Sequence, residues 1–389
     1  MDSVKIHRLY FLSFLFTLHI AISTYVNSTF LTSIIKENYV GLLYTISSIL
    51  IIVLLAKSSR ILKNIGNRKL TLYFLLFNMI SLAGLILSKN PLVIMGSFVL
   101  FMATNTLVYF CLDIFIEHFS NPLKTGTIRG LYLTIINSAY VISPLIAALL
   151  ISMGGYKFIY TIAIILVFFM AIGLAFSVKT FKDKKYKKEP MTKTYKYLKG
   201  DKNMFSIISV NFLLQFFYAW MVVYTPIYLY SHLNFNWDQI AVIFSIMLVP
   251  FVLLALPVGI LVDKFKVNKK NLLFIGFLII ILSTASISIL SSSRVIIWAI
   301  ILFTTRIGAS IIETTSEICF FEKISDKDTN ILSLFRDLYP LAYIIAPLVA
   351  TFIFIFIPFN QYFFLILGII MTSGFYFISN IKNEETLSN

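Results

Sequence analysis

The chain has 389 residues, 59% of them hydrophobic and 13% charged, with a mean hydropathy of +0.90. So much apolar surface cannot be hidden in the core of a water-soluble domain, which excludes an ordinary soluble protein. The net charge of +15 would suit a nucleic-acid partner, but the charge is confined to segments between apolar runs, which argues against one.

Twelve apolar runs of membrane-spanning length are predicted: 9–31, 40–56, 70–87, 91–113, 131–152, 158–177, 204–230, 239–262, 272–290, 295–316, 333–354 and 361–379. No cleavage site of small residues follows the first run, so it is predicted as helix one and not a signal peptide. With the N-terminus placed in the cytoplasm, the inner segments hold 27 Lys and Arg and the outer loops hold 4, namely Lys36, Lys89, Lys157 and Arg294. This asymmetry follows the positive-inside rule and predicts both termini in the cytoplasm of a cell carrying the chain in its cytoplasmic (inner) membrane. Arg306 is left over, inside the tenth run. Cys111 and Cys319 lack metal-site spacing and read as packing residues.

The stretch 179–203 is polar, lysine-rich and contains Pro190. It reads as a basic cytoplasmic linker touching anionic lipid, between a first bundle (1–178) and a second (204–389). The two halves repeat each other. AYVISPLIA at Ala139–Ala147 matches AYIIAPLVA at Ala342–Ala350, with six of nine positions identical. Asp113 and Glu117 end the fourth helix as Glu313 and Glu317 end the tenth. The loop 59–69 faces its copy at 259–270, at the same offset of about 200 residues. Such duplication predicts pseudo-twofold symmetry and a transporter with its site where the repeats meet.

The loop at 259–270 carries Gly259, Leu261, Asp263, Lys264, Phe265, Lys269 and Lys270. With the twelve-helix, six-plus-six topology, this pattern resembles the major facilitator superfamily across essentially the whole chain. The first copy departs from that family's pattern: Ser59 stands at the glycine position and Lys63 at the aspartate position, while Gly66, Arg68 and Lys69 remain. Asp263 is therefore the better candidate for the family's charge relay. The resemblance implies an all-α polytopic membrane protein of two six-helix bundles, with helices one, four, seven and ten lining a cavity. The loosely related glycine- and proline-rich exporter motif of helix five has Ala and Ser in place of glycine here; Pro144 and Pro347 read as bends at packing seams, as do Pro226, Pro250 and Pro257.

Polar stripes point to the same helices independently. Helix one carries His19, Ser23 and Asn27; helix four Asn105, Tyr109, Asp113 and Glu117; helix seven Asn211, Gln215 and Tyr218; helix ten Arg306, Glu313 and Glu317. Ionisable groups at membrane depth are costly and so mark candidate functional positions. His19, Asn27, Asn105, Tyr109, Asn211, Gln215, Tyr218 and Arg306 are the substrate-site candidates. His19, Asn105, Asn211 and Gln215 read equally as hydrogen-bonding links between helices. Asp113, Glu117, Glu313, Glu317, Asp263 and Arg129 are the coupling and gating candidates, and the acids near helix ends are placed to pair with Arg129, Arg336 or loop lysines. Arg306, with no counterpart in the first half, suits recognition of an anionic group.

The sequence carries no nucleotide-binding loop, metal-ligand set or catalytic triad, so an enzyme is not expected and no cofactor is implied beyond a proton or other ion gradient. The expectation is a monomeric secondary transporter of a small polar or anionic solute, working by alternating access, with Glu313 or Asp113 exchanging a proton. A multidrug efflux antiporter is the alternative. A transport-inactive sensor or a membrane-embedded enzyme is the alternative from another class.

Overall fold

A computed structural model of the chain describes residues 2–24, 26–35, 37–120, 122–179, 181–183, 200–290, 293–325, 328–356 and 360–381. Most of the predicted linker, 184–199, lies outside them. Among the described residues the regular structure is all helical, and 12 helical spans are long and apolar enough to cross a membrane.

The helices are α1 (Asp2–Thr24), α2 (Asn27–Thr32), α3 (Glu37–Ile65), α4 (Asn67–Leu87), α5 (Pro91–Phe119), α6 (Thr125–Ser177), α7 (Lys202–Ser231), α8 (Trp237–Asp263), α9 (Lys269–Ile287), α10 (Val295–Phe321), α11 (Thr329–Phe354) and α12 (Tyr362–Asn380). α6 contains two spans separated at Gly154 and Gly155, and Gly155 has φ +66°, where a side chain would be strained. Many starts are capped by their own sequence. Asn90 accepts from Leu92 N with Pro91 in the first turn, Asp201 accepts from Asn203 N and Met204 N, and Asn236 forms a capping box with Gln239. These caps satisfy backbone N–H groups that a helix leaves open.

The predicted first run, 9–31, does not form one helix. α1 ends at Thr24, and Asn27 opens the short α2, so His19, Ser23 and Asn27 do not form one continuous helical stripe. Asn27 is still buried, and its Oδ1 accepts from the Tyr160 hydroxyl at 3.0 Å. Tyr160 is thus a buried polar contact from the sixth span, which the sequence presents as almost wholly apolar.

The chain forms two compact units. One holds Met1–Ser120, Ile135–Met191 and Ile324–Pro340; the other holds Asn121–Thr134, Thr192–Lys323 and Leu341–Asn389. The start of α6 therefore packs in the second unit and the start of α11 in the first. Within the first unit α5 is the central helix, packed on α4, α3 and α1. Its core joins Phe98, Phe101 and Phe115 to Phe16, Leu75 and Val167. Within the second unit α10 packs on α8, α9 and α7, and α12 covers α9 and α7. Trp220 of α7 stacks on Phe363 of α12 with ring centroids 4.3 Å apart. α5 and α10 hold equivalent places in the internal repeat, so the sequence symmetry is also a symmetry of packing.

Candidate functional site

Within the first unit, α1, α4 and α5 build a buried polar network. His19 is fully buried; its Nδ1 meets the Phe16 carbonyl and its Nε2 lies 3.3 Å from Asn105 Oδ1. Asn78 donates through Nδ2 to the same Oδ1 at 2.7 Å and to Thr104 Oγ1 at 2.9 Å. That bond fixes the oxygen of Asn105 as the atom facing the imidazole. Both ring nitrogens of His19 therefore face oxygen acceptors, an arrangement that satisfies both N–H bonds of a protonated ring. One turn along α5, Tyr109 donates to Thr17 Oγ1 at 2.8 Å. A further turn brings Asp113, fully buried, whose Oδ2 accepts from Arg336 Nε at 2.6 Å. Glu117 follows, half-buried near the end of α5.

The second unit carries a different set. Arg306 is 3% exposed and lies roughly three turns into α10. Its guanidinium sits 5.2 Å from the centroid of Phe217 and 5.8 Å from that of Tyr218, distances at which an aromatic face attracts a cation. Tyr218 lies within electrostatic reach of Glu313, Arg306 and Tyr343. Ser310 and Thr314 follow Arg306 at helical spacing, both fully buried. The hydroxyls of Tyr218, Ser310, Thr314 and Thr315 have no hydrogen-bond partner among the described residues. Buried hydroxyls are ordinarily satisfied, so those of Tyr218, Ser310 and Thr314, on the Arg306 side of α10, offer donors and acceptors to an incoming polar group, whereas Thr315 lies on the opposite side of that helix. Asn211 is linked to α10 through Ser316 Oγ at 3.2 Å, and Gln215 is half-buried on α7. Glu317 is buried and Glu313 half-buried.

The two repeated loops diverge in a physically legible way. Asp263, at the end of α8, accepts from Gly126 N at 3.0 Å and Thr127 N at 2.5 Å. A carboxylate so placed complements the positive end of α6. Gly126, Gly130 and Gly259 let the two backbones meet there, since a Cβ on Gly130 would lie 2.5 Å from the Ala255 carbonyl oxygen. Arg129 stands on the same segment with its guanidinium 3.0 Å from the Phe321 ring centroid. At the equivalent place in the first unit, Ser59 Oγ and Thr329 Oγ1 are 2.8 Å apart. Hydroxyls replace glycines there, and exposed Lys63 replaces the capping carboxylate.

Three further groups were not singled out from the sequence. Asp337, beside Arg336 on α11, is 8% exposed, and its Oδ1 has no hydrogen-bond partner among the described residues. An ionisable group inside a predicted span is the signal that marked Arg306, and it applies equally to Asp337. Asp183 accepts from Asn67 N at 2.6 Å and so caps α4; nothing in a lysine-rich stretch foretells it. Asn78 is the one amide in the apolar run 70–87, which is a weak signal.

The sequence profile of the Major Facilitator Superfamily matches residues 9–331. No curated protein sequence matches the chain. Solved structures match it along its length. The fucose:proton symporter FucP of E. coli is 12% identical with a TM-score of 0.78, covering 98% of this chain and 99% of that one. The human organic anion transporter MFSD10 (TETRAN) is 13% identical with a TM-score of 0.72, over 97% and 99% of the two chains. A bacterial homologue of the iron transporter ferroportin is 14% identical with a TM-score of 0.73, over 97% and 98%. At these identities the likeness is one of fold, and it agrees with the profile match, the twelve apolar helical spans and the repeat: the chain belongs to the Major Facilitator Superfamily of membrane transporters.

Proposed function

We propose that the chain is a proton-coupled secondary transporter of a small anionic or polar solute, exposing one polar site to each side of a cell membrane in turn. The observation that carries this reading is Arg306, a buried cation set against Phe217 and Tyr218 and followed by the unpartnered hydroxyls of Ser310 and Thr314. A guanidinium binds carboxylate or phosphate in a fork that neutral solutes do not fill. The hydroxyls add hydrogen bonds that select among anions. An organic anion transporter shares this fold, as does a sugar:proton symporter, which is in keeping with a small polar or anionic solute. The distribution of Lys and Arg supports cytoplasmic termini.

Proton exchange falls to groups that can carry a proton within the spans of each unit. The candidates are Glu313, in the same unit as Arg306, and His19 and Asp337 in the other unit. Asp113, held by Arg336, acts in gating with Asp263, Arg129, Glu117 and Glu317. A solute and a proton that bias the same two-state element are coupled by linkage.

The test is a ligand screen on purified protein by thermal shift, across monocarboxylates, dicarboxylates, phosphate esters, neutral sugars and cationic dyes. Anions should stabilise the wild type and lose that effect in Arg306→Ala, while the apo variant keeps the wild-type melting temperature. Stabilisation by cationic dyes alone would support the multidrug antiporter instead, for which the aromatic pair Phe217 and Tyr218 would be the binding surface.

A further inference from the structure

An open groove of about 920 Å³ runs between α1 and the second span of α6, both within the first unit. One end is polar and basic, formed by His7, Arg8 and Ser177. The rest is apolar: Phe11 and Leu15 on α1 face Leu166 and Phe169 on α6. Phe11 is 61% exposed and Phe169 58%, so the walls look outward. Leu12 forms the floor because Gly173 has no side chain; a Cβ there would lie 2.5 Å from Leu12 Cδ2. None of the described residues that line the groove is acidic.

Two features say what fits. From Leu166 to Ser177 the groove is about 16 Å long at helical rise. That is half of a hydrocarbon layer about 30 Å thick, the depth of one leaflet. The basic end lies where such a leaflet meets its headgroups. Arg8 is exposed and makes no hydrogen bond or ion pair among the described residues. An arginine with an open fork beside an apolar channel one leaflet deep matches a phosphodiester headgroup with its acyl chain below. The groove opens sideways between two helices, so a lipid can enter from the bilayer.

We propose that this groove is a binding site for one anionic phospholipid, with its phosphate at Arg8 and an acyl chain laid along Phe11, Leu15, Leu166 and Phe169. The site is separate from the polar clusters of α5 and α10 and does not depend on which solute is carried. His7 assists at the headgroup, and Gly173 keeps the floor low.

The experiment is native mass spectrometry of the detergent-purified full chain, titrated with dioleoyl phosphatidylglycerol and with dioleoyl phosphatidylcholine. One phosphatidylglycerol should bind about five-fold more tightly than phosphatidylcholine, the preference expected of one basic residue at a headgroup. Arg8→Gln should remove that preference, and Lys157→Gln, on an exposed residue outside the groove, should keep it. A phosphatidylglycerol with a diazirine in its acyl chain should label wild-type protein within 11–15 and 166–173. Equal binding of the two lipids, an unchanged preference in Arg8→Gln, or labelling elsewhere would overturn the proposal. The labelling needs no variant, so a misfolded Arg8→Gln leaves the test intact.

Discussion

Arg336 and Asp113 meet at 2.6 Å across 223 residues of sequence. Asp113 is fully buried on α5, whereas the Arg336 side chain keeps 23% of its surface on α11. The pair is therefore lopsided. Removing the arginine takes a bonded cation away from a fully buried carboxylate, while removing the carboxylate leaves an arginine that can turn to solvent. Arg336→Gln should cost about 3 kcal/mol, at the lower end for a broken buried pair, and Asp113→Asn about 1 kcal/mol. The double variant should recover most of the loss. Urea unfolding in detergent, followed by tryptophan fluorescence, measures all three.

Asp263 makes a different prediction, because it bonds two backbone amides at the start of α6 instead of a side chain. Asp263→Ala removes a carboxylate cap and should destabilise by about 1–2 kcal/mol. Asp263→Asn retains a hydrogen-bond acceptor and should cost less. Hydrogen exchange of the Gly126 and Thr127 amides reports the loss locally; exchange unchanged in Asp263→Ala would remove the capping role.

The crossing of α6 on α8 depends on glycine. Gly130→Leu places side-chain atoms where the Ala255 carbonyl already stands, and neither backbone can yield without moving a helix. Transport should be lost. Gly155→Ala, by contrast, strains only the local turn at φ +66° and should cost about 1 kcal/mol with transport retained. Flux and melting temperature for the two variants separate these effects.

In the network around His19, Asn78 is the hub, donating to both Asn105 and Thr104. Asn78→Leu leaves those buried acceptors short of a donor and should destabilise by about 1–3 kcal/mol. Asn78→Asp, without an amide, should be no better. Comparable stability of wild type and Asn78→Leu would mean that the network contributes nothing net.

The spans were legible because a bilayer demands about 20 apolar residues each time, and the duplication because AYVISPLIA survives as AYIIAPLVA. The break after Thr24 was not, since the polar residues His19, Ser23 and Asn27 keep helical spacing across it and residues 9–31 lack a proline or glycine to mark the stop. The stripe on α5 was readable from spacing alone, but Arg336 as the partner of Asp113 depends on how α11 crosses α5, and Arg129 was an equally good choice from sequence. Ser310 and Thr314 lie on the Arg306 side of α10, but hydroxyls are common in membrane helices, where they bond their own backbone, so spacing alone does not mark them. Only the packing reveals that these two do not. Asp337 carried the same signal as Arg306 and was obscured by its basic neighbour.

The solute site on α10 rests on Arg306. Purified protein in vesicles, given an inward proton gradient, should accumulate an anion selected by the thermal-shift screen, and collapsing the gradient should stop it. Arg306→Ala should reduce that flux at least ten-fold, with Arg306→Lys intermediate because a point charge replaces the fork. Accumulation of the same anion by Arg306→Ala at the wild-type rate would contradict the assignment of the solute site to α10.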